Sequence, residues 1–139
     1  MISAEATVTV QFYDLDPMQV VWHGNYARFL ELGRCALLDR IGFNYPEMAA
    51  SGYVWPIVDM RIKYVRSASL GCVVRVTATL AEYENRLCIN YRLTDTTTGE
   101  VLTKASTTQV AVRADTGELC LETPAALTER VKHALSCAS

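Results

Sequence analysis

The segment 25–41 constrains the fold more than any other part of this chain. Tyr26, Phe29, Leu30, Gly33, Leu37 and Ile41 recur at helical spacing on one stripe, while Arg28, Glu31, Asp39 and Arg40 fall mostly elsewhere. Leu32, Ala36 and Leu38 widen the apolar face well beyond a narrow seam, and Gly42 is a natural stop. A helix this apolar has to be largely enclosed. Its cover must come from the strands around it, because most of the remaining chain reads as strand.

A β-branched, alternating run at 5–13 precedes the helix, and further strands are expected near 54–65, 72–83, 86–96 and 101–113. Within 72–83, Val74, Val76, Ala78 and Leu80 alternate with polar or small residues; within 86–96, Leu87, Ile89, Tyr91 and Leu93 do the same. The turns at 69–71, 84–85 and 98–99 are too short for parallel crossovers, so neighbouring strands are antiparallel. Residues 44–50 allow one short helical turn. After a turn at 114–117, Thr123 and Pro124 read as the N-cap and first residue of a short helix at about 124–135. The order β-α-β-β-β-β predicts an α+β fold, one antiparallel sheet wrapped around one long central helix. At 139 residues the chain is expected to form a single domain, 1–139.

Composition narrows the function classes. Half the residues are apolar and a fifth are charged, which rules out long disorder. A net charge of −2 gives no electrostatic footprint for nucleic acid or an anionic membrane. No window reaches the roughly 18 to 20 apolar residues of a membrane span, and the first six residues lack the pattern of a secretory signal. Five scattered cysteines without a C-x-x-C spacing fit reduced thiols in a cytoplasmic protein and argue against a zinc site, as does a histidine count of two.

The common catalytic motifs are missing: there is no G-x-S-x-G, no phosphate-binding glycine loop and no H-E-x-x-H. What remains lies between the first strand and the helix, namely Asp14, Asp16 and His23. The first turn of a helix presents unpaired N–H groups and the positive end of the dipole, which can stabilise an oxyanion. A nearby carboxylate could act as a general base on water or attack an acyl carbon itself. The plainer reading is a turn: Asp before Pro is a common turn, Asp16 could cap it, and His23 could simply bond a neighbour.

The string Tyr13-Asp14-Leu15-Asp16-Pro17-Met18-Gln19-Val20-Val21-Trp22-His23-Gly24-Asn25-Tyr26 resembles the signature of the 4-hydroxybenzoyl-CoA thioesterase and YbgC-like branch of the hotdog-fold thioesterases. That signature runs D-x-D-x-x-G-x-V-x-[YH]-x-x-Y, and Phe29-Leu30-Glu31-Leu32-Gly33-Arg34 continues it as x-x-[FW]-x-E-x-x-R. The resemblance implies a hotdog fold and hydrolysis of an acyl thioester on coenzyme A or acyl carrier protein. Its catalytic carboxylate maps onto Asp16, and the backbone N–H that meets the thioester carbonyl maps onto His23. No metal or prosthetic group is implied; coenzyme A or the carrier protein is part of the substrate. Gln19 stands where the family often has glycine, which would narrow the loop or place an amide beside the carbonyl together with Val20.

The other candidates carry two readings each. Asp14 either steadies the turn or acts on Asp16 from the same face of an extended segment. Asn25 and Tyr26 sit at the helix start, as cap and packing residue or as part of the substrate site. Arg61 and Lys63, on one strand face, and Arg66 either guard a sheet edge or meet coenzyme A phosphates. Trp22, Phe29, Trp55 and Met60 read as core or interface, Cys35 lacks a base, and His133 reads as surface. An unpaired sheet edge and the resemblance together predict a homodimer, with a homotetramer of two dimers beyond it. The strand holding Ile57, Val58 and Asp59 would then face the partner's Asp16. The rival functions are a dehydratase or hydratase on 3-hydroxyacyl thioesters and a non-catalytic acyl-thioester-binding protein.

Overall fold

The computed structural model describes residues 2–137. In chain order the elements are β1 (Ser3–Thr9), α1 (Tyr26–Ile41), α2 (Tyr45–Ala50), β2 (Tyr53–Val54), β3 (Ile57–Tyr64), β4 (Val73–Glu82), β5 (Leu87–Asp95), β6 (Val101–Gln109), β7 (Val112–Arg113) and α3 (Ala125–Cys137). Short 3-10 turns occupy Phe12–Asp14 and His23–Asn25. Five strands make one sheet in the order β1-β4-β5-β6-β3, every pair antiparallel, and β2 pairs with β7 as a separate ribbon.

The alternation in the sequence is the inner face of this sheet. Val74, Val76, Ala78 and Leu80 of β4 and Leu87, Ile89 and Leu93 of β5 are fully buried against the helix side. Each buried valine, leucine or isoleucine among them contributes about 1.5–3 kcal/mol. The α1 residues Phe29, Leu30, Leu37 and Leu38 close the core. Gly33 sits where α1 comes nearest β4, and a Cβ there would lie 2.5 Å from Val76 Cγ1. Toward β6 the inner face turns polar and is only partly bonded: the buried Thr103 hydroxyl and Gln109 Oε1 have no partner among the described residues. Tyr91 Oη and Thr107 Oγ1 are 2.8 Å apart, and Gln109 Nε2 donates to the Trp55 carbonyl at 2.8 Å.

Several boundaries differ from the sequence expectation. The first strand stops at Thr9, because Asp14 accepts the Gln11 N–H and curls the chain into a 3-10 turn. The 54–65 run is two strands in two sheets, since Pro56 cannot donate to a ladder and divides it. The last run likewise breaks between β6 and β7. Leu32 is exposed on the outer flank of α1 rather than part of its buried face. α1 begins at Tyr26, and Asn25 makes no side-chain cap; its amide donates instead to the Asp14 carbonyl at 2.9 Å. Thr123 does not cap α3: its hydroxyl has no partner among the described residues, and its N–H donates to the Glu84 carbonyl at 2.9 Å.

Candidate active site

Residues 10–25 form a hydrogen-bonded loop rather than a free linker. The Val10 N–H donates to the Cys72 carbonyl at 2.9 Å, and the Val21 N–H donates to the Ala68 carbonyl at 2.9 Å, so both arms lean on the segment before β4. Asp14 is buried beneath. Its carboxylate accepts from the Gln11 N–H at 2.8 Å and from the Arg28 guanidinium, and its carbonyl accepts from the Trp22 N–H at 3.0 Å. Asp14 ends its 3-10 turn, Leu15 after it is extended and bridges to Val21, and Asp16 is half-buried where Asp14 is enclosed. Asp14 is spent on the scaffold.

Asp16 closes a tight hairpin. Its N–H donates to the Val20 carbonyl at 2.8 Å and its carbonyl accepts the Gln19 N–H at 3.0 Å. Gln19 has φ of +67°, in the left-handed region that such a short hairpin loop demands of its last residue. Glycine reaches that conformation without strain, which gives the Gln19 position its physical meaning. The Asp16 Oδ1 accepts the Met18 N–H at 2.8 Å, which fixes the carboxyl, while Oδ2 has no partner among the described residues.

His23 opens the 3-10 turn that runs into α1. No acceptor for its N–H occurs among the described residues. The Tyr64 hydroxyl donates to the His23 carbonyl at 2.9 Å and holds this turn against the end of β3. The imidazole lies between Trp22 and Tyr64, with ring centroids 5.3 and 6.4 Å away. Tyr26 is buried, and its hydroxyl accepts the Ala68 N–H at 3.2 Å; burial pushes that phenol above its ordinary pKa.

Asp16, His23, Val20, Tyr26 and Arg66 line one cleft of about 200 Å³. Val21, Tyr64, Val65 and Ser67 complete it and were not singled out from the sequence. Tyr64 was within reach, because the alternation of Met60, Ile62 and Tyr64 along β3 puts it on the inner face. Gln19 and Asn25 do not line the cleft, being committed to loop and brace. Val58 and Asp59 are exposed beside a register shift near the start of β3 and do not line the cleft of their own copy. Arg61 and Lys63 pair across strands with Ser106 and Lys104 on the outer face of the sheet. Arg66 is the one arginine or lysine lining the cleft among the described residues, and it lies 3.3 Å from Glu100. Glu31 and Arg34 pair with each other, and Arg34 lies 3.4 Å from the Tyr45 hydroxyl, so that part of the motif is helix scaffolding. The lining of the cleft thus includes a carboxyl residue with one open oxygen and the residue that opens the turn into α1.

Residues 10–135 match the family model described as the thioesterase-like superfamily. The chain is 29% identical to YneP of Bacillus subtilis, provisionally named an acyl-CoA thioesterase, over 76% of both chains. It is 28% identical to sll0410 of Synechocystis, provisionally named an esterase, over 91% of this chain and 77% of that one. The crystal structure of the DHNA-CoA thioesterase from Staphylococcus aureus superposes with a TM-score of 0.84 at 25% identity, covering 99% of this chain and 91% of the other.

Proposed function

We propose, for a chain that belongs to the thioesterase-like superfamily, hydrolysis of an acyl-CoA thioester in the cleft between Asp16 and the His23 turn. The hotdog architecture of that superfamily is the one described above. The observation that carries the reading is that Asp16, which keeps one unpartnered oxygen, and His23, whose N–H is unengaged among the described residues, line one cleft.

In this reading the thioester oxygen accepts the His23 N–H, and the helix start stabilises the charge that builds on it. Asp16 then takes a proton from water as the water oxygen bonds to the acyl carbon. Alternatively Asp16 bonds to that carbon itself, and water opens the resulting anhydride. Either way the carbon–sulfur bond breaks, and free acid and thiol leave. In the same reading Arg66, which lines the cleft, meets a phosphate of coenzyme A. The steps draw on the chain's own groups, and coenzyme A or a carrier protein enters as part of the substrate.

Within the superfamily, Asp16, His23 and the Glu31–Arg34 pair support a place in the 4-hydroxybenzoyl-CoA thioesterase and YbgC-like branch. The outer edge of β3 has no strand beside it among the described residues, and Val58 and Met60 stand exposed there. An unpaired edge of this length is normally covered, which supports pairing of two copies along β3 into a homodimer. Five free cysteines support a reducing, cytoplasmic setting.

The test is thiol release over short, long and aromatic acyl-CoA compounds, with Asp16→Asn beside the parent. An asparagine oxygen still accepts the Met18 N–H, so the hairpin is kept while base and nucleophile are lost. The expected loss is about 10²-fold or more in kcat. Parent-like turnover in Asp16→Asn removes Asp16 from the reaction. Addition of water to crotonyl-CoA without thiol release replaces hydrolysis with hydration. Binding without either product leaves a sensor.

A further inference from the structure

The outer face of the sheet carries a row of cations that the cleft does not use. Arg92 of β5 stands directly opposite Lys104 of β6, and Lys104 stands directly opposite Lys63 of β3. Like charges directly opposite on neighbouring strands destabilise a sheet. No carboxylate lies within ion-pair distance of any of the three among the described residues. All three are exposed. Positive charge on an edge strand serves to repel other edges, but β5 and β6 are interior strands of this sheet, so that explanation reaches Lys63 alone. Arg61 stands one register step along, opposite Ser106, but is paired with Asp59 at 3.4 Å and adds no free charge, and Thr77 stands opposite Arg92. The chain as a whole is acidic, at −2, so this concentration of charge is local.

We propose that this outer face docks the acidic helix of a protein partner. Strands lie about 4.8 Å apart, so the three cations step across the sheet at nearly even intervals. Carboxylates at i and i+4 on a helix have a similar spacing of about 5–6 Å. A helix lying across the strands therefore meets one cation for each of its turns. Thr77, Thr79, Asn90, Arg92 and Lys104 line a trough of about 560 Å³ on this face, and the row continues to Lys63 outside that lining, so an occupant meeting all three cations reaches beyond the trough. A second copy of this chain is disfavoured as the occupant, because a two-fold contact through this face sets the row against its own like.

The inference is independent of the thioester reading, since it is read without turnover. The probe is a fluorescent alanine-based helical peptide with glutamates at i, i+4, i+8 and i+11 on one face; a scrambled peptide of the same composition is the control. Binding is measured by anisotropy at low and physiological salt. The expected result is salt-sensitive binding of the patterned peptide, at least about tenfold weaker for the scrambled peptide and for the double variant Arg92→Glu/Lys104→Glu. Equal binding of both peptides, no binding of either, or displacement by equimolar coenzyme A overturns the proposal. Lys104→Gln supplies a second readout: its thermal midpoint should rise as the repulsion is relieved. A fall in that midpoint removes the premise that the row is held at a cost to stability.

Discussion

Asp14 and Arg28 meet beneath the loop that leads into α1, so the first acid of the signature ties the loop to the helix. Arg28 is half exposed, and solvent screens that side of the pair. Asp14 also accepts the Gln11 N–H in a part-buried bond. Truncation in Asp14→Ala strands that amide and should cost about 1–3 kcal/mol, while Asp14→Asn keeps an acceptor and should cost less. Urea midpoints of the three proteins decide it: an unchanged midpoint for Asp14→Ala shows that the loop is held elsewhere.

Gln19 holds a left-handed conformation that costs a non-glycine residue about 1–2 kcal/mol. Glycine removes that strain but gains freedom in the unfolded chain, worth about 0.4–1 kcal/mol the other way. Gln19→Gly should therefore be neutral to about 1 kcal/mol more stable, and the β-branched Gln19→Val clearly less stable than the parent. Thermal melts in that order confirm the strain; a loss on going to glycine means that the amide makes a compensating contact.

The parts of this fold legible in the sequence were those set by periodic burial. The α1 stripe and the alternation through Val74–Leu80 and Leu87–Leu93 needed only helix and strand periods. Boundaries failed where one polar contact outweighed period: Asp14 reaching back to the Gln11 N–H ended β1 early, and nothing local announces that bond. Pro56 was a visible break that the hydrophobic run around it masked. At the cleft, Asp16 and His23 were readable from residue type and motif. The pairing of Asp14 with Arg28 joins residues 14 apart in sequence, and spacing alone does not disclose it. The outer-face row of Arg92, Lys104 and Lys63 depends on cross-strand register, which is fixed only once the sheet is assembled.

Tyr64 positions the His23 turn through a single hydroxyl, and its ring also packs 5.3 Å from Tyr26. Tyr64→Phe keeps the ring and loses the bond. The His23 carbonyl is then free to shift, and with it the turn that carries the unengaged His23 N–H. Turnover should fall about three- to tenfold, equivalent to roughly 1 kcal/mol, with little change in KM or thermal midpoint. A rise in KM at constant kcat would instead make Tyr64 a substrate-contacting residue.

Gly33 allows α1 to rest on β4. A methyl at that position meets Val76 at 2.5 Å, so the helix must lift or the valine must turn. Gly33→Val should cost about 1–3 kcal/mol through overpacking, even though glycine is itself a poor helix former. The double variant Gly33→Val/Val76→Ala restores room and should recover part of the loss. Additive losses in that pair rule out the Val76 contact as the cause.

Alkaline stability should report on the buried end of the sheet. Burial pushes the Tyr91 phenol up to about 12, against the lesser opposing effect of its bond to Thr107. The folded protein therefore keeps a proton that the unfolded chain releases near pH 10. Stability from this group is complete below about pH 10 and is lost as pH climbs from 10 toward 12, by a total of about 2–3 kcal/mol. Tyr26 is shifted the same way by burial and adds to the trend. Tyr91→Phe should start from lower stability, because Thr107 loses its partner, but decline less steeply between pH 9.5 and 12 in urea titrations. Parallel pH slopes for parent and Tyr91→Phe would show that this phenol ionises without opening the fold.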